Sequence, residues 1–94
     1  MNKRDLLIEL KKAQWIASHY KGGYSDHFLD VSDFVIALRK AILMLEAGDD
    51  SCIKDLWLWF SPTADWDDFV GKEGLELGDS IYKELDRIVN EEEI

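Results

Sequence analysis

The stretch ADWDDFVG holds three aspartates that are close enough in sequence to suggest a metal site. Counted from Asp65, an EF-hand calcium loop needs oxygen ligands at its first, third, fifth and twelfth positions and a glycine at the sixth. Asp65, Asp67 and Glu76 fit the first, third and twelfth positions. Phe69 and Val70 occupy the fifth and sixth. The ligand set and the sharp turn both fail, so no calcium site is predicted.

The remaining groups that could bind zinc or form a nucleophile and base are His19, His27 and Cys52. They offer at most three ligands, at no recognised zinc spacing. Cys52 begins an amphipathic segment, and nothing in the sequence links it to either histidine. A free cysteine is usually a small buried hydrophobe. We therefore predict no catalytic residue, no metal site and no cofactor.

The longer stretch DLWLWFSPTADWDDFVG sets three tryptophans beside four aspartates. Its spacing predicts an inward-facing aromatic set: Trp57, Phe60, Trp66 and Phe69. Tryptophan is enriched at binding hot spots, and exposed carboxylates attract cationic proteins. The candidate partner-binding residues are Trp59, Asp65, Asp67 and Asp68, which we expect to be at least partly exposed. The alternative is a helix end and a solvated turn, with Asp65 charging a helix start.

The formal net charge of −9 is unevenly distributed along the 94 residues. Residues 1–21 carry +3 and residues 22–45 carry −1, whereas 46–73 carry −6 and 74–94 carry −5. Such a field repels phosphate backbones and anionic membranes, so a cationic protein is the expected partner rather than nucleic acid or membrane. Simple solubility is the alternative explanation of the acidity.

Length and cysteine content favour one small domain in a reducing compartment. A chain of this size, with 47% hydrophobic residues, can fold around a single core, and the lone Cys52 can form no internal disulfide. No charged-then-apolar leader opens the sequence, and its longest apolar run, residues 41–45, is far below the ~18 residues of a membrane span. We expect a soluble, cytoplasmic domain over residues 1–94, frayed at 91–94.

The hydrophobic periodicity predicts an all-α bundle of four main helices with a short extra helical turn near 62–70. Gly22-Gly23, Gly48 and Gly71 are predicted stops, and Ser61-Pro62 is predicted to end one helix and to cap and start the next. Asp30 or Ser32 is the expected cap of the second helix, and Asp49 and Asp50 of the third. Gly74 and Gly78 share the face of the last helix, where a neighbouring helix can approach closely. The four stripes are Leu6, Leu10, Ala13, Ala17 and Tyr20; Val31, Phe34, Val35, Leu38, Ala41, Ile42 and Leu45; Ile53, Leu56, Trp57 and Phe60; and Leu77, Ile81, Tyr82, Leu85, Ile88 and Val89.

Several apolar residues fall outside these stripes. Helix two has two of them on its opposite side, so we expect it to be central and covered on more than one side. The others are covered by another segment, such as the 62–70 turn, or form an exposed patch for a partner. The residues concerned are Ile8 and Trp15, Ile36 and Leu43, and Leu58 and Trp59.

The sequence AILMLEAGDDSCIKDLWLWFSPTADWDDFVG followed by LELGDSIYKEL resembles small, mostly uncharacterised bacterial helical proteins found as antitoxins or immunity proteins beside secreted toxins. The resemblance spans residues 37–85, and FSPTADWDDFVG is its distinctive part. In size, acidity and helix number the chain is also similar to colicin-nuclease immunity proteins, whose paired-tyrosine-proline motif it lacks. The resemblance implies a non-enzymatic protein that blocks a cationic toxin stoichiometrically.

Two function classes follow from these patterns. The first is an acidic protein-binding module, with the immunity role as its specific form. The second is a self-associating structural module, a homodimer through the off-stripe patch of Ile8 and Trp15 or of Leu58 and Trp59. An enzyme or metal protein using the aspartates has the least support.

Overall fold

The structure is a computed structural model that describes residues 3–21, 23, 25, 27–62 and 64–92. Five α-helices follow one another in this part of the chain: α1 (Lys3–Ala17), α2 (Val31–Glu46), α3 (Ile53–Phe60), α4 (Asp65–Phe69) and α5 (Leu75–Glu92). A 3₁₀ turn, Gly71–Gly74, joins α4 to α5. No strand occurs among the described residues, which confirms the predicted all-α class. The finer description as a four-helix bundle stays a prediction.

The predicted stripes form the core. α1 packs against α2 and α5, and α3 packs against α5, so the apolar faces of these helices meet in the centre of the molecule. Each fully buried aliphatic side chain contributes about 1.5–3 kcal/mol relative to an exposed one. Among the stripe residues, Tyr20, Val35, Trp57, Leu77, Tyr82 and Ile88 are only partly buried, at the margin of the core.

The ends of α2 follow the sequence closely. Asp30 is the N-cap in an extended conformation, and its carbonyl accepts hydrogen bonds from the amides of Asp33 and Phe34. Gly48 adopts φ +87° directly after the C-cap, and the Asp49 amide donates to the Met44 carbonyl at 2.8 Å. This left-handed position favours glycine, as the predicted stop required. The predicted cap of α3 is wrong, because Cys52 is its N-cap and the Asp49 carboxylate accepts from the amide of Ser51, in the turn before the helix.

Two predicted boundaries are wrong. α1 ends at Ala17, ahead of the predicted stop at Gly23; Gly22 lies outside the described residues. The helix ends here because the next amides, of His19 and Tyr20, donate to carbonyls three residues back instead of four, while the Ser18 hydroxyl donates to the Trp15 carbonyl. α4 begins at Asp65 with Ala64 as its N-cap, and not at Ser61-Pro62.

The expectation that helix two is covered on more than one side is also wrong. Ile36 is 67% exposed and Leu43 is 57% exposed, whereas the buried residues of α2 all belong to its stripe. No described helix is both long and apolar enough to cross a membrane. α5 ends at Glu92, and the rest of the predicted frayed segment, residues 93 and 94, lies outside the described residues.

Candidate functional site

Trp66 fixes the position of the acidic segment. Its side chain is fully buried, and its indole N–H donates to the carbonyl of Gly74 at 2.9 Å. A Cβ added at Gly74 or at Gly78 would lie 2.5 Å from the indole ring, so only glycine leaves room for it. The close approach predicted at these glycines is real, and the approaching group is a tryptophan of α4. Phe69, one turn later, is buried beside Phe34, with ring centroids 5.5 Å apart.

Asp65 was expected to be exposed, and this expectation is wrong. Its side chain is completely buried and accepts three hydrogen bonds from the loop between α1 and α2. The donors are the Ser25 hydroxyl, the His27 amide at 3.1 Å and the His27 ring nitrogen Nδ1 at 2.7 Å. Asp65 faces inward because it lies four residues before the buried Phe69, on the same face of α4. It ties the loop to α4, which makes it a structural residue rather than a surface contact.

Asp67 and Asp68 face away from that core. Asp68 is exposed and Asp67 is partly exposed, as predicted for both. They lie in the first turn of α4, where the positive end of the helix dipole favours carboxylates. Of the three aspartates in the candidate set, these two lie on the outer side of α4.

Trp59 is partly exposed, as predicted, and one side of its ring is fixed by other aromatic rings. Its centroid lies 5.2 Å from that of Phe28 and 6.1 Å from that of Phe34, in edge-to-face arrangements. Such contacts add about 0.5–1.5 kcal/mol beyond area burial. The prediction that another segment covers Trp59 is correct in part, since Phe28 comes from the loop before α2. Leu58, its neighbour, is 43% exposed.

The free side of Trp59 lines a cleft between α2 and α3, called here the Trp59 cleft, with a volume of about 280 Å³. Asp55 lies in the same wall, one helical turn before Trp59, and is exposed. Lys40 and Met44 belong to the α2 wall. Asp55 forms no ion pair within the described residues.

Asp55 belongs with Trp59 although the sequence reasoning did not select it. The signal was available, because residues four apart on a helix lie on one face. An aromatic ring and a carboxylate so placed form a receptor for a cationic side chain, which can stack on the indole while it pairs with the acid. The structure thus brings Asp55 and Trp59 together on α3 and places Asp67 and Asp68 on α4.

The other chemistry-bearing groups have structural partners. Trp57 donates from its indole nitrogen to Asp86 at 3.1 Å and stacks on Tyr82. Cys52 is buried at the floor of the Trp59 cleft, where its thiol donates to the Ala41 carbonyl at 3.5 Å and burial raises its pKa. No group of three or more His, Cys, Asp or Glu side chains suited to a metal ion occurs among the described residues.

Comparison with protein-family models, with curated proteins and with solved structures found no match for this chain.

Proposed function

We propose that this protein is a non-enzymatic, acidic protein-binding module of the cytoplasm, built on a four-helix bundle, that binds a cationic protein. Its specific form is an immunity protein that blocks a basic toxin stoichiometrically. The contact residues are Trp59, Asp55, Asp67 and Asp68. Asp65 supports this surface from beneath and does not touch the partner.

The observation that carries the proposal is the position of Trp59 beside Asp55 in the wall of one cleft, where Asp55 forms no ion pair within the described residues. The indole is held in place by Phe28 and Phe34 before any partner arrives. A preorganised aromatic ring loses little conformational entropy on binding, which is why such residues dominate interface energetics. An arginine of the partner fits both groups, because its planar guanidinium stacks on an aromatic ring and forms bidentate bonds with a carboxylate.

Long-range charge supplies the second part of the mechanism. The formal net charge of −9 attracts a basic surface before contact, and attraction of this kind raises the association rate more than the affinity. Desolvation of Trp59 in the complex then slows dissociation, which is where most differences in affinity arise. A toxin that cleaves nucleic acid carries a basic cleft for its substrate, and this surface is complementary to such a cleft.

A charge-matched pair of variants tests the location of the binding surface. Asp55→Asn with Asp68→Asn removes two exposed carboxylates at the proposed site, and Glu76→Gln with Asp79→Asn removes two exposed carboxylates on α5. Association rates are measured with the cationic partner from the native cell, from about 0.01 M salt, where the Debye length is about 30 Å, to physiological strength, where it is about 8 Å. The first variant should associate more slowly than the second at every salt concentration, with the largest difference at low salt.

A third variant reverses the sign. Lys40→Gln removes the cation in the opposite wall of the Trp59 cleft and should strengthen binding of the same partner. Equal association rates for the two charge-matched variants would show that only net charge matters and would reject the site. Protection of cells that co-express a basic toxin, lost in Asp55→Asn with Asp68→Asn and kept in Glu76→Gln with Asp79→Asn, would support the immunity role. Equal protection by both would contradict it.

Self-association is the second candidate function. Its support is that Ile8 is 46% exposed and Trp15 is 67% exposed on one face of α1. Light scattering over a range of concentrations tests it directly. A dimer of wild-type protein that Trp15→Ala converts to monomer would favour this function, and a monomer at all concentrations would exclude it.

A further inference from the structure

An apolar groove lies on the face of α1 that points away from the core. It has a volume of about 630 Å³ and is lined by Ile8, Lys11, Lys12, Trp15, Ile16 and Leu77. Trp15 rests against His19, with ring centroids 4.4 Å apart, and the His19 ring nitrogen is 2.7 Å from the Trp15 carbonyl oxygen. The indole therefore has a fixed support although it is 67% exposed. We call this surface the α1 groove.

The charged residues that line the α1 groove are basic, although the chain carries a formal net charge of −9. Two lysines and no carboxylates line it. Lys11 is paired with Glu46 at 3.1 Å, whereas Lys12 forms no ion pair within the described residues. Arg4, one turn before Ile8 on the same face, also has none. The carboxylates lie beside the groove: Asp5 and Glu9 border one adjacent hollow, shared with Ile8 and Lys12, and Glu73 borders another, shared with Trp15 and Ile16.

The spacing of these residues suits a helical ligand. Ile8 and Trp15 are two turns apart, about 10 Å along the axis, with Lys12 between them. An amphipathic helix that places apolar side chains two turns apart, with acidic residues beside them, meets the apolar pair and the lysine together. Recognition of this kind uses the groove for affinity and the charges for orientation.

Two other occupants fit the charges less well. In a symmetric dimer, Ile8 of each copy would pack against Trp15 of the other, and the two-fold axis would pass between residues 11 and 12. The lysines of both copies would then meet and repel. An anionic membrane is a broad surface, which would meet not only Lys12 but also the carboxylates that border the groove: Asp5, Glu9 and Glu73.

We propose that the α1 groove is a second docking surface, which binds an acidic amphipathic helix of another protein. It lies on α1, whereas the Trp59 cleft is formed by α2 and α3. The molecule thereby has two proposed binding surfaces: a groove on α1 lined by apolar residues and lysines, and a cleft between α2 and α3 where Trp59 lies beside Asp55. One partner on each surface would make the protein an adaptor between them.

A library of helical peptides displayed on phage supplies the probe for the α1 groove. Selection is made on immobilised wild-type protein, with Trp15→Ala protein used to remove peptides that bind elsewhere. Enriched peptides should be acidic and should repeat apolar residues three, four and seven positions apart. One enriched peptide, labelled with fluorescein, is then titrated by fluorescence anisotropy.

The variants separate the groove from general stickiness. Trp15→Ala and Ile8→Ala should weaken peptide binding at least about tenfold, the loss expected for a hot-spot residue, and Lys12→Gln should weaken it less. Ile36→Ala is the matched control, because Ile36 is as exposed as Trp15 but lies on α2. Asp55→Asn should also leave binding unchanged, so a failure of the Trp59 cleft and a failure of the α1 groove are distinguishable.

Four results would overturn the proposal. They are the absence of enrichment, enrichment of basic peptides, a wild-type dimer that Trp15→Ala dissociates, and binding to phosphatidylserine vesicles that Trp15→Ala abolishes. The third would assign the groove to a second copy of this chain, and the fourth to a membrane surface.

Discussion

Replacement of Asp65 by alanine should destabilise the fold strongly, although the residue belongs to an acidic stretch that the sequence presents as surface. The buried carboxylate accepts three hydrogen bonds, one from Ser25 and two from His27. A hydrogen bond to a charged group contributes about 1.5–3 kcal/mol. Adding three such bonds overestimates the loss, because the His27 side chain is 48% exposed and can form hydrogen bonds with water when Asp65 is removed. We expect a loss of about 2–4 kcal/mol in the free energy of unfolding.

Urea unfolding followed by tryptophan fluorescence measures this loss, since a domain of this size is expected to unfold in one cooperative step. Asp68→Ala is the matched control, because it removes an exposed carboxylate from the same helical turn and should cost less than about 1 kcal/mol. Asp65→Asn keeps one acceptor oxygen and should fall between the two. If Asp65→Ala unfolds at the same urea concentration as Asp68→Ala, the loop is not held by this carboxylate and the argument fails.

Two further predictions concern buried contacts. Gly78→Ala should lower the free energy of unfolding by about 1–3 kcal/mol, because the added Cβ is overpacked against Trp66; this loss exceeds the gain of up to about 1 kcal/mol in helix propensity. Asp79→Ala, on the exposed side of the same helix, is the control and should change it by no more than about 0.5 kcal/mol. Thermal unfolding compares the two variants. The Cys52 thiol should react slowly with a thiol reagent in the native protein and quickly in urea, because burial raises its pKa and the thiolate is the reactive form. If the native protein reacts fast and urea accelerates the reaction little, the floor of the Trp59 cleft is open to solvent.

The helical periodicity was sufficient for the fold class and for most of the core. Leu6, Leu10, Ala13 and Ala17 are all buried because the pattern that places them on one face is imposed by helix geometry, whatever packs against it. Helix ends were harder to predict, since they depend on local competition. The Ser18 hydroxyl donates a hydrogen bond to the Trp15 carbonyl, and the spacing of apolar residues does not predict this bond.

The candidate site was predictable only where one helix determines the outcome. The inward positions of Trp66 and Phe69 follow from a three-residue step within α4. The burial of Asp65 depends on His27, which lies 38 positions earlier in the sequence. No local pattern reports a contact over that separation, so an aspartate beside two others is read as exposed. The pairing of Asp55 with Trp59 was local and could have been found.

The acidic stretch therefore has a buried layer and an outer layer, and the buried residues hold the helix on which the outer aspartates lie. α4 is held in place by two contacts: Trp66 packs against Gly74 and Gly78, and Asp65 is hydrogen-bonded to His27 in the loop before α2. A five-residue helix has too few internal hydrogen bonds to be stable alone, and these contacts replace the missing stabilisation. Asp67 and Asp68 consequently lie on a firmly held helix, which would lower the entropic cost of the complex proposed above.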